Sequence, residues 1–306
     1  MFILPESGGT TGGHFFLHFV SVERSIAIFS PGLLGGSLIK TIQQRMPGVE
    51  VRVWARRAEA VEEVKCVLPG VTASTDIAAV IQGVSFAVLC MPIQHMPGIA
   101  LQIAACDLAD DLIVTDVGSV KGGVVGELEA IFMPTRAAFL GSHPMAGSQH
   151  TGLGHSRGDL FHQTACILTP TTHTRPEYLG RLRTFWVKLG CRIQEMTPQQ
   201  HDRCVARISH LPHSMAVLTT LAALSKDTRV LDSSAGGFRD TTRVASGDPD
   251  MWAGILMQNR TEVMAALQDV SSALRELLEM LQSMDEEALR RFLAQAKALR
   301  DLLPAV

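Results

Sequence analysis

"SIAIFSPGLLGGSLIKTIQQRM", residues 25–46, is the stretch on which the fold turns. Its first six residues form a short, apolar, β-branched run of the kind that makes a buried strand. Ser-Pro-Gly then breaks the run, and from Leu33 apolar residues recur at helical spacing. Strand, glycine turn and helix in that order open a βαβ unit, whose first turn binds the pyrophosphate of a dinucleotide. The matching fingerprint is G-x-G-x-x-G; here Ser30 holds the first position, and Gly32 and Gly35 hold the other two. Gly32 would let the backbone approach the pyrophosphate, and Gly35 would let the helix pack closely on the strand. Leu33 and Leu34 lie at the helix N-terminus, where backbone amides and the positive end of the helix dipole face the phosphates. Serine at position 30 is expected to loosen this turn.

The second strand, "VEVRVWA" (49–55), bears on which dinucleotide fits. A carboxylate roughly 20 positions beyond the glycines would hold the ribose 2′-hydroxyl of NAD. This chain has Ala55, Arg56 and Arg57 there instead. Two guanidiniums with no acid beside them suit a 2′-phosphate, so NADP is the expected cofactor, with NAD possible. The competing reading is a solvated basic turn.

Outward from this unit the pattern continues. "VSFAVLCMP" and "DLIVTDV" are continuous apolar runs of buried-strand length, and Met91 and Pro92 close the first of them on the cofactor's side. "AAFLGS" and "ACILTP" read as further strands, separated by a long glycine-rich loop. A helix near 176–189 and a strand "CRIQEM" finish the domain. Strands alternating with helices imply a mostly parallel sheet. After Thr197 the texture changes: residues 198–225 read as a long helical pattern bent at Pro212, and 253–303 is dominated by Leu, Ala, Met, Glu and Arg. The chain is therefore read as α/β, with a Rossmann-type domain at 25–195 followed by an all-helical domain at 196–306. Residues 1–24, rich in Gly and Thr, read as a disordered extension.

Composition narrows the function. At 306 residues the chain is longer than one hydrophobic core usually serves. A net charge of −3 offers no basic footprint for nucleic acid. No run is long and apolar enough for a membrane span. The six cysteines are scattered with no C-x-x-C pair, which fits reduced cytoplasmic thiols better than disulfides or zinc.

Four segments carry chemistry. "TDVGSVK" (115–121) ends an apolar strand in a turn holding Ser119. "GSHPMAG" (141–147) presents His143 at a strand end. "SHLPH" (209–213) places His210 and His213 three apart on a helix, and no third ligand stands at a spacing that would suit a metal. "GGFRDTTRVASGDPDMW" (236–252) carries Arg243, which could also pair with Asp240 or Asp248. Together with the glycine turn these supply a hydroxyl, a base titrating near neutrality and a clamp for a carboxylate, the parts of a dehydrogenase.

In order and spacing, "SPGLLGGSL", "DVGSVK", "GSHPMAGS", "SHLPH" and "GGFRDTTRVASGDPDMW" resemble the prephenate/arogenate dehydrogenase family of tyrosine biosynthesis. The resemblance implies oxidative decarboxylation of a cyclohexadienol with hydride transfer to NAD(P), and a homodimer built by the helical domain. It implies that His143 hydrogen-bonds the substrate's ring hydroxyl and that Ser119 touches it near the nicotinamide. Arg243 matches the arginine that holds the side-chain carboxylate, and His213 lines the same pocket. Gln149 stands where some prephenate-specific members carry an acidic residue, which leaves open the choice between prephenate and arogenate. Two other readings stay in view. A β-hydroxyacid dehydrogenase or imine reductase would need a catalytic lysine on the long helix, for which Lys226 is the candidate; a non-catalytic NADP sensor would keep the fold without turnover.

Overall fold

Strand β1 (Ser25–Phe29) is buried along its whole length and forms the centre of the molecule's main sheet. It is followed by α1 (Leu33–Arg45), β2 (Glu50–Trp54), α2 (Ala58–Val67), β3 (Thr72–Ser74), α3 (Ile77–Ile81) and β4 (Phe86–Leu89). Then come α4 (Met96–Ala104), β5 (Ile113–Asp116), α5 (Gly122–Phe132) and β6 (Ala138–Phe139). The six strands pair in the order β3-β2-β1-β4-β5-β6, all parallel. This is the doubly wound order of dinucleotide-binding domains, and its direction reverses between β1 and β4. The computed structural model describes residues 24–147 and 150–303; all but Arg24 of the extension read at 1–24, together with Ser148 and Gln149, lies outside it.

Both faces of the sheet are covered because β1 is apolar on both. Side chains alternate across a strand, so Ile26 and Ile28 join the core with Leu38, Ile39 and Ile42 of α1. Ala27 and Phe29 join the opposite core with residues of α3, α4 and α5.

The stretch read as one strand, "AAFLGS", is two. β6 ends the parallel sheet, and after Leu140 the chain enters β7 (Gly141–Pro144), which pairs antiparallel with β8 (Ala165–Thr169). β8 pairs parallel with β9 (Arg192–Glu195), and α6 (Pro176–Lys188) connects them. The break has a local cause. The Ser142 amide donates to the Asp116 carboxylate at 3.2 Å rather than to a ladder carbonyl, and the Ser142 hydroxyl donates to the Asp116 carbonyl at 2.6 Å. Gly141 allows the close approach, since a Cβ there would lie 2.5 Å from Thr169 Oγ1. His143 therefore sits within β7, opposite Ile167, and not at a strand's end.

The helical half opens with α7 (Pro198–Val205), started by a capping box in which Thr197 and Gln200 satisfy each other's amides. A π-turn at Ala206–His210 separates it from α8 (Leu211–Leu224). Pro212 has no amide to donate and lies in the first turn of α8, so the wide turn before it takes the place of the bend expected from the sequence. α9 (Gly236–Thr242), α10 (Pro249–Gln258), α11 (Arg260–Gln282) and α12 (Glu286–Arg300) complete the chain. Of α11's 23 residues only Val263 and Ala266 are buried, and none of α12's are. Among the described residues no helix is long and apolar enough to cross a membrane.

Candidate active site

The carboxyl ends of β1 and β4 lie side by side, with Phe29 opposite Leu89 and the Cys90 amide donating to the Phe29 carbonyl at 2.8 Å. In a doubly wound sheet the ligand crevice opens at this switch point. It brings together the two sequence-predicted cofactor segments, Ser30–Gly35 after β1 and Met91–Pro92 after β4. Ser30 adopts φ +75°, the left-handed backbone that glycine favours at the first fingerprint position. The turn is therefore kept, at a cost of about 1–2 kcal/mol for a residue with a side chain. Gly35 is fixed by space: a Cβ there would stand 2.3 Å from the Ser30 carbonyl oxygen and 3.3 Å from Cys90 Cβ. A Cβ on Gly32 would meet nothing within 4 Å. The first amides of α1 have no intrahelical partner, and no side chain caps them. An open face at Gly32 beside an uncapped helix start fits the pyrophosphate of a dinucleotide. At the end of β2, Ala55 is buried while Arg56 and Arg57 are exposed.

A second set of residues gathers around β5, β7 and α7. Asp116 and Lys121, both fully buried, form a close ion pair across the β5–α5 turn, and Asp116 also accepts from the Gly118 amide at 2.8 Å. This braces the loop that carries half-buried Ser119. His143 is buried, and its Nδ1 lies 2.8 Å from His201 Nε2. His201 Nδ1 lies 2.8 Å from Asp202 Oδ1. Asp202 in turn accepts from the Lys121 amide at 2.8 Å and the Gly122 amide at 2.7 Å, the first amides of α5, where the helix dipole favours an anion. A Cβ on Gly122 would come within 2.7 Å of the same carboxylate, so glycine is required for the contact. Asn259 Nδ2 donates to the Asp202 carbonyl at 2.9 Å and lies 3.2 Å from His210 Nδ1.

Burial sets the charge of these imidazoles. It holds His143 well below the ordinary histidine range, helped by the positive charge of Lys121 and, in acid, by protonation of His201 and His210. Burial also lowers His201, against the pull of Asp202, and takes His210 down to about 4. All are neutral at pH 7, and His143 titrates below the near-neutral range expected from its residue type because burial penalises its charged form.

His213 stacks on Trp252 with ring centroids 3.4 Å apart and planes 8° from parallel. Burial lowers its pKa too, while a hydrogen bond to the Val244 backbone raises it. Among the described residues, His213 Nδ1 and His210 Nε2 are buried polar atoms with no hydrogen-bond partner. Arg243 is exposed at the head of a short 3-10 turn (Arg243–Ser246) that packs along α8, the helix bearing His213. Lys226, the alternative catalytic lysine, is exposed beyond the end of α8.

His201, Asp202, Asp116, Lys121 and Asn259 were not among the residues expected from sequence. The available signal was slight: "QQHDRC" (199–204) sets a histidine beside an aspartate in a polar first helical turn, where both would ordinarily face water.

Residues 40–195 match the family model for the nucleotide-binding domain of prephenate dehydrogenase, and residues 197–295 match the model for its dimerization domain. A cyclohexadienyl dehydrogenase of Zymomonas mobilis is 29% identical, aligned over 92% of this chain and 96% of its own length. A prephenate dehydrogenase of Bacillus subtilis is 30% identical over 92% of this chain and 77% of its own. Among solved structures, prephenate dehydrogenase from Aquifex aeolicus, in complex with hydroxyphenyl propionate and NAD+, superposes with a TM-score of 0.83 at 31% identity, covering 90% of this chain and 97% of that one. Synechocystis arogenate dehydrogenase gives 0.77 at 30%, covering 90% and 99%. With both halves matched and the glycine turn and buried histidine in place, this chain belongs to the prephenate dehydrogenase family.

Proposed function

We propose that this enzyme oxidises the ring carbinol of prephenate or arogenate with a nicotinamide cofactor and releases CO₂, giving 4-hydroxyphenylpyruvate or tyrosine. The observation that carries the reading is His143: a buried, neutral imidazole on β7, anchored through one nitrogen and beside the braced turn that holds Ser119. Both substrates have a carboxylate at ring C1 and a hydroxyl at C4. The nicotinamide, when bound across the β1–β4 crevice, supplies the hydride acceptor. His143 takes the hydroxyl proton as the C4–H bond breaks, and Ser119 hydrogen-bonds the same oxygen. Loss of CO₂ from C1 leaves its electron pair in the ring, which becomes aromatic, and the oxygen at C4 recovers the proton from His143. Because aromatisation drives the reaction, the protein mainly has to position its reactants and hold one proton.

Arg243 holds the side-chain carboxylate in this reading. A planar, permanently charged fork suits that task better than lysine. His213, flattened against Trp252, forms a wall of the same pocket, and Gln149, the other residue expected there from the sequence, lies outside the described residues. The exposed Lys226 gives a β-hydroxyacid dehydrogenase reading no support.

The cofactor is nicotinamide-based, and Arg56 and Arg57 after β2 favour NADP+. The Aquifex relative was solved with NAD+, so the preference rests on this basic turn alone. The active form is a homodimer through the helical half, whose Leu218, Leu221, Met264, Leu274, Leu278 and Leu281 are exposed in the single chain. The site of action is the cytoplasm, where the six unpaired cysteines would stay reduced.

Supplying each substrate with NADP+ and then NAD+, and following reduced cofactor together with the aromatic product, tests the assignment. Equimolar reduced cofactor and product are expected with at least one of the two substrates. Absence of turnover with both would overturn it.

A further inference from the structure

We infer that Asp202, acting through His201, fixes the tautomer of His143 and so makes its Nε2 the proton-accepting nitrogen. The inference rests on the reading of His143 as the base. It follows from donor and acceptor accounting along one chain of contacts. An ionised carboxylate accepts hydrogen bonds and cannot donate them, whereas a neutral imidazole has one N–H and one lone pair. Asp202 already receives the Lys121 and Gly122 amides, so the His201 nitrogen 2.8 Å from Oδ1 is a donor. His201 then carries its hydrogen on Nδ1, and its Nε2 is an acceptor. His143 Nδ1 lies 2.8 Å from that acceptor and must donate to it. The hydrogen of His143 is thus spent on Nδ1, leaving the lone pair on Nε2. Reversing His201 would set its Nδ1 lone pair against the carboxylate at 2.8 Å, and reversing His143 alone would set two imidazole lone pairs against each other at the same distance.

The chain also does something during turnover. When Nε2 takes the substrate's proton, His143 becomes an imidazolium whose Nδ1–H still points to His201, and His201 still points to the carboxylate. The new positive charge faces Asp202 through one polarisable ring, in a site shut off from water: His201 is fully buried. Asp202 is itself held by the start of α5, so the carboxylate is a fixed part of the scaffold. His201 and Asp202 are positioning residues; neither touches the reacting atoms.

Nitrogen-15 NMR of the imidazole side chains near pH 7, assigned with single-histidine variants, reads the tautomers directly. The expected result is a protonated Nδ1 and an unprotonated Nε2 on both His143 and His201; a hydrogen on Nε2 of His143 would overturn the inference whatever the kinetics. In turnover, His201→Gln is expected to lower kcat by about 10–100-fold, matching the loss when the outer hydrogen-bond partner of a metal-ligating histidine is removed. KM for substrate and affinity for cofactor should barely move. The double variant His143→Asn/His201→Gln should be no slower than His143→Asn alone, because His201 acts only through His143. A double variant slower than His143→Asn by the full His201 factor would show that His201 acts independently. If His143→Asn itself turns over normally, the base assignment fails; if it is slow while His201→Gln is fast, only the present inference fails.

Discussion

Replacing Gly35 and Gly32 one at a time by alanine separates what the glycine turn does for the fold from what it does for the cofactor. At position 35 the new Cβ would stand 2.3 Å from the Ser30 carbonyl oxygen, short of the 3.0 Å that real Cβ contacts respect. The strand end and α1 must part by about 0.7 Å, and Cys90, 3.3 Å away on the neighbouring strand's end, limits how they can do so. Forcing a methyl group into a packed contact of this kind costs about 1–3 kcal/mol. For a chain of this size that lowers Tm by roughly 2–5 °C. At position 32 nothing lies within 4 Å, so the fold should be indifferent and Tm should stay within about 1 °C. The methyl group would instead enter the open face where the pyrophosphate approaches the backbone, and cofactor affinity should fall about tenfold or more. Thermal melting followed by circular dichroism gives the first quantity, and calorimetric titration with the cofactor gives the second. A Gly35→Ala protein that melts like the wild type, or a Gly32→Ala protein that binds cofactor normally, would refute this account of the turn.

Arg243→Gln is expected to raise KM strongly for either substrate, since a charged hydrogen-bond partner is worth about 1.5–3 kcal/mol; an unchanged KM would assign the carboxylate to another residue. Comparing kcat/KM for NADP+ and NAD+ in the wild type and in Arg56→Ala/Arg57→Ala should show a tenfold or greater NADP+ preference that the substitutions abolish; equal efficiency in the wild type would mean the basic turn points to water. The fold should weaken in acid. His143, His201, His210 and His213 are depressed in the folded state, so the unfolded chain binds protons first and stability is lost as pH falls below about 6.5. His210, at about 4, would alone account for about 3 kcal/mol by pH 4, and a urea midpoint unchanged between pH 7 and 5 would contradict this. Light scattering at micromolar concentration should give the mass of a dimer, not a monomer.

The parts legible in the sequence are those whose local pattern has one solution. β1 and the glycine turn are of this sort: an apolar run buried on both faces, then residues whose spacing is set by backbone contact. β3 (Thr72–Ser74) has one exposed and two half-buried residues and no pattern to show. The division of "AAFLGS" between two sheets depends on Asp116 capturing the Ser142 amide, a contact between residues 26 apart in sequence. Ser30 looked like a loosened fingerprint, yet the left-handed turn persists because the surrounding strand and helix impose it. The motif histidines and Arg243 are candidates because their segments single them out. His201 is not singled out, because its burial arises only when α7 folds over the β5–α5 turn and Asp202 meets the two amides there.

Whether His143 takes and returns the substrate's proton is read most directly from kcat for His143→Asn, measured beside cofactor affinity. A fall of about 10²–10⁴ in kcat is expected, the span of a general acid–base group, with cofactor binding nearly unchanged. Near-normal turnover in that variant would contradict it.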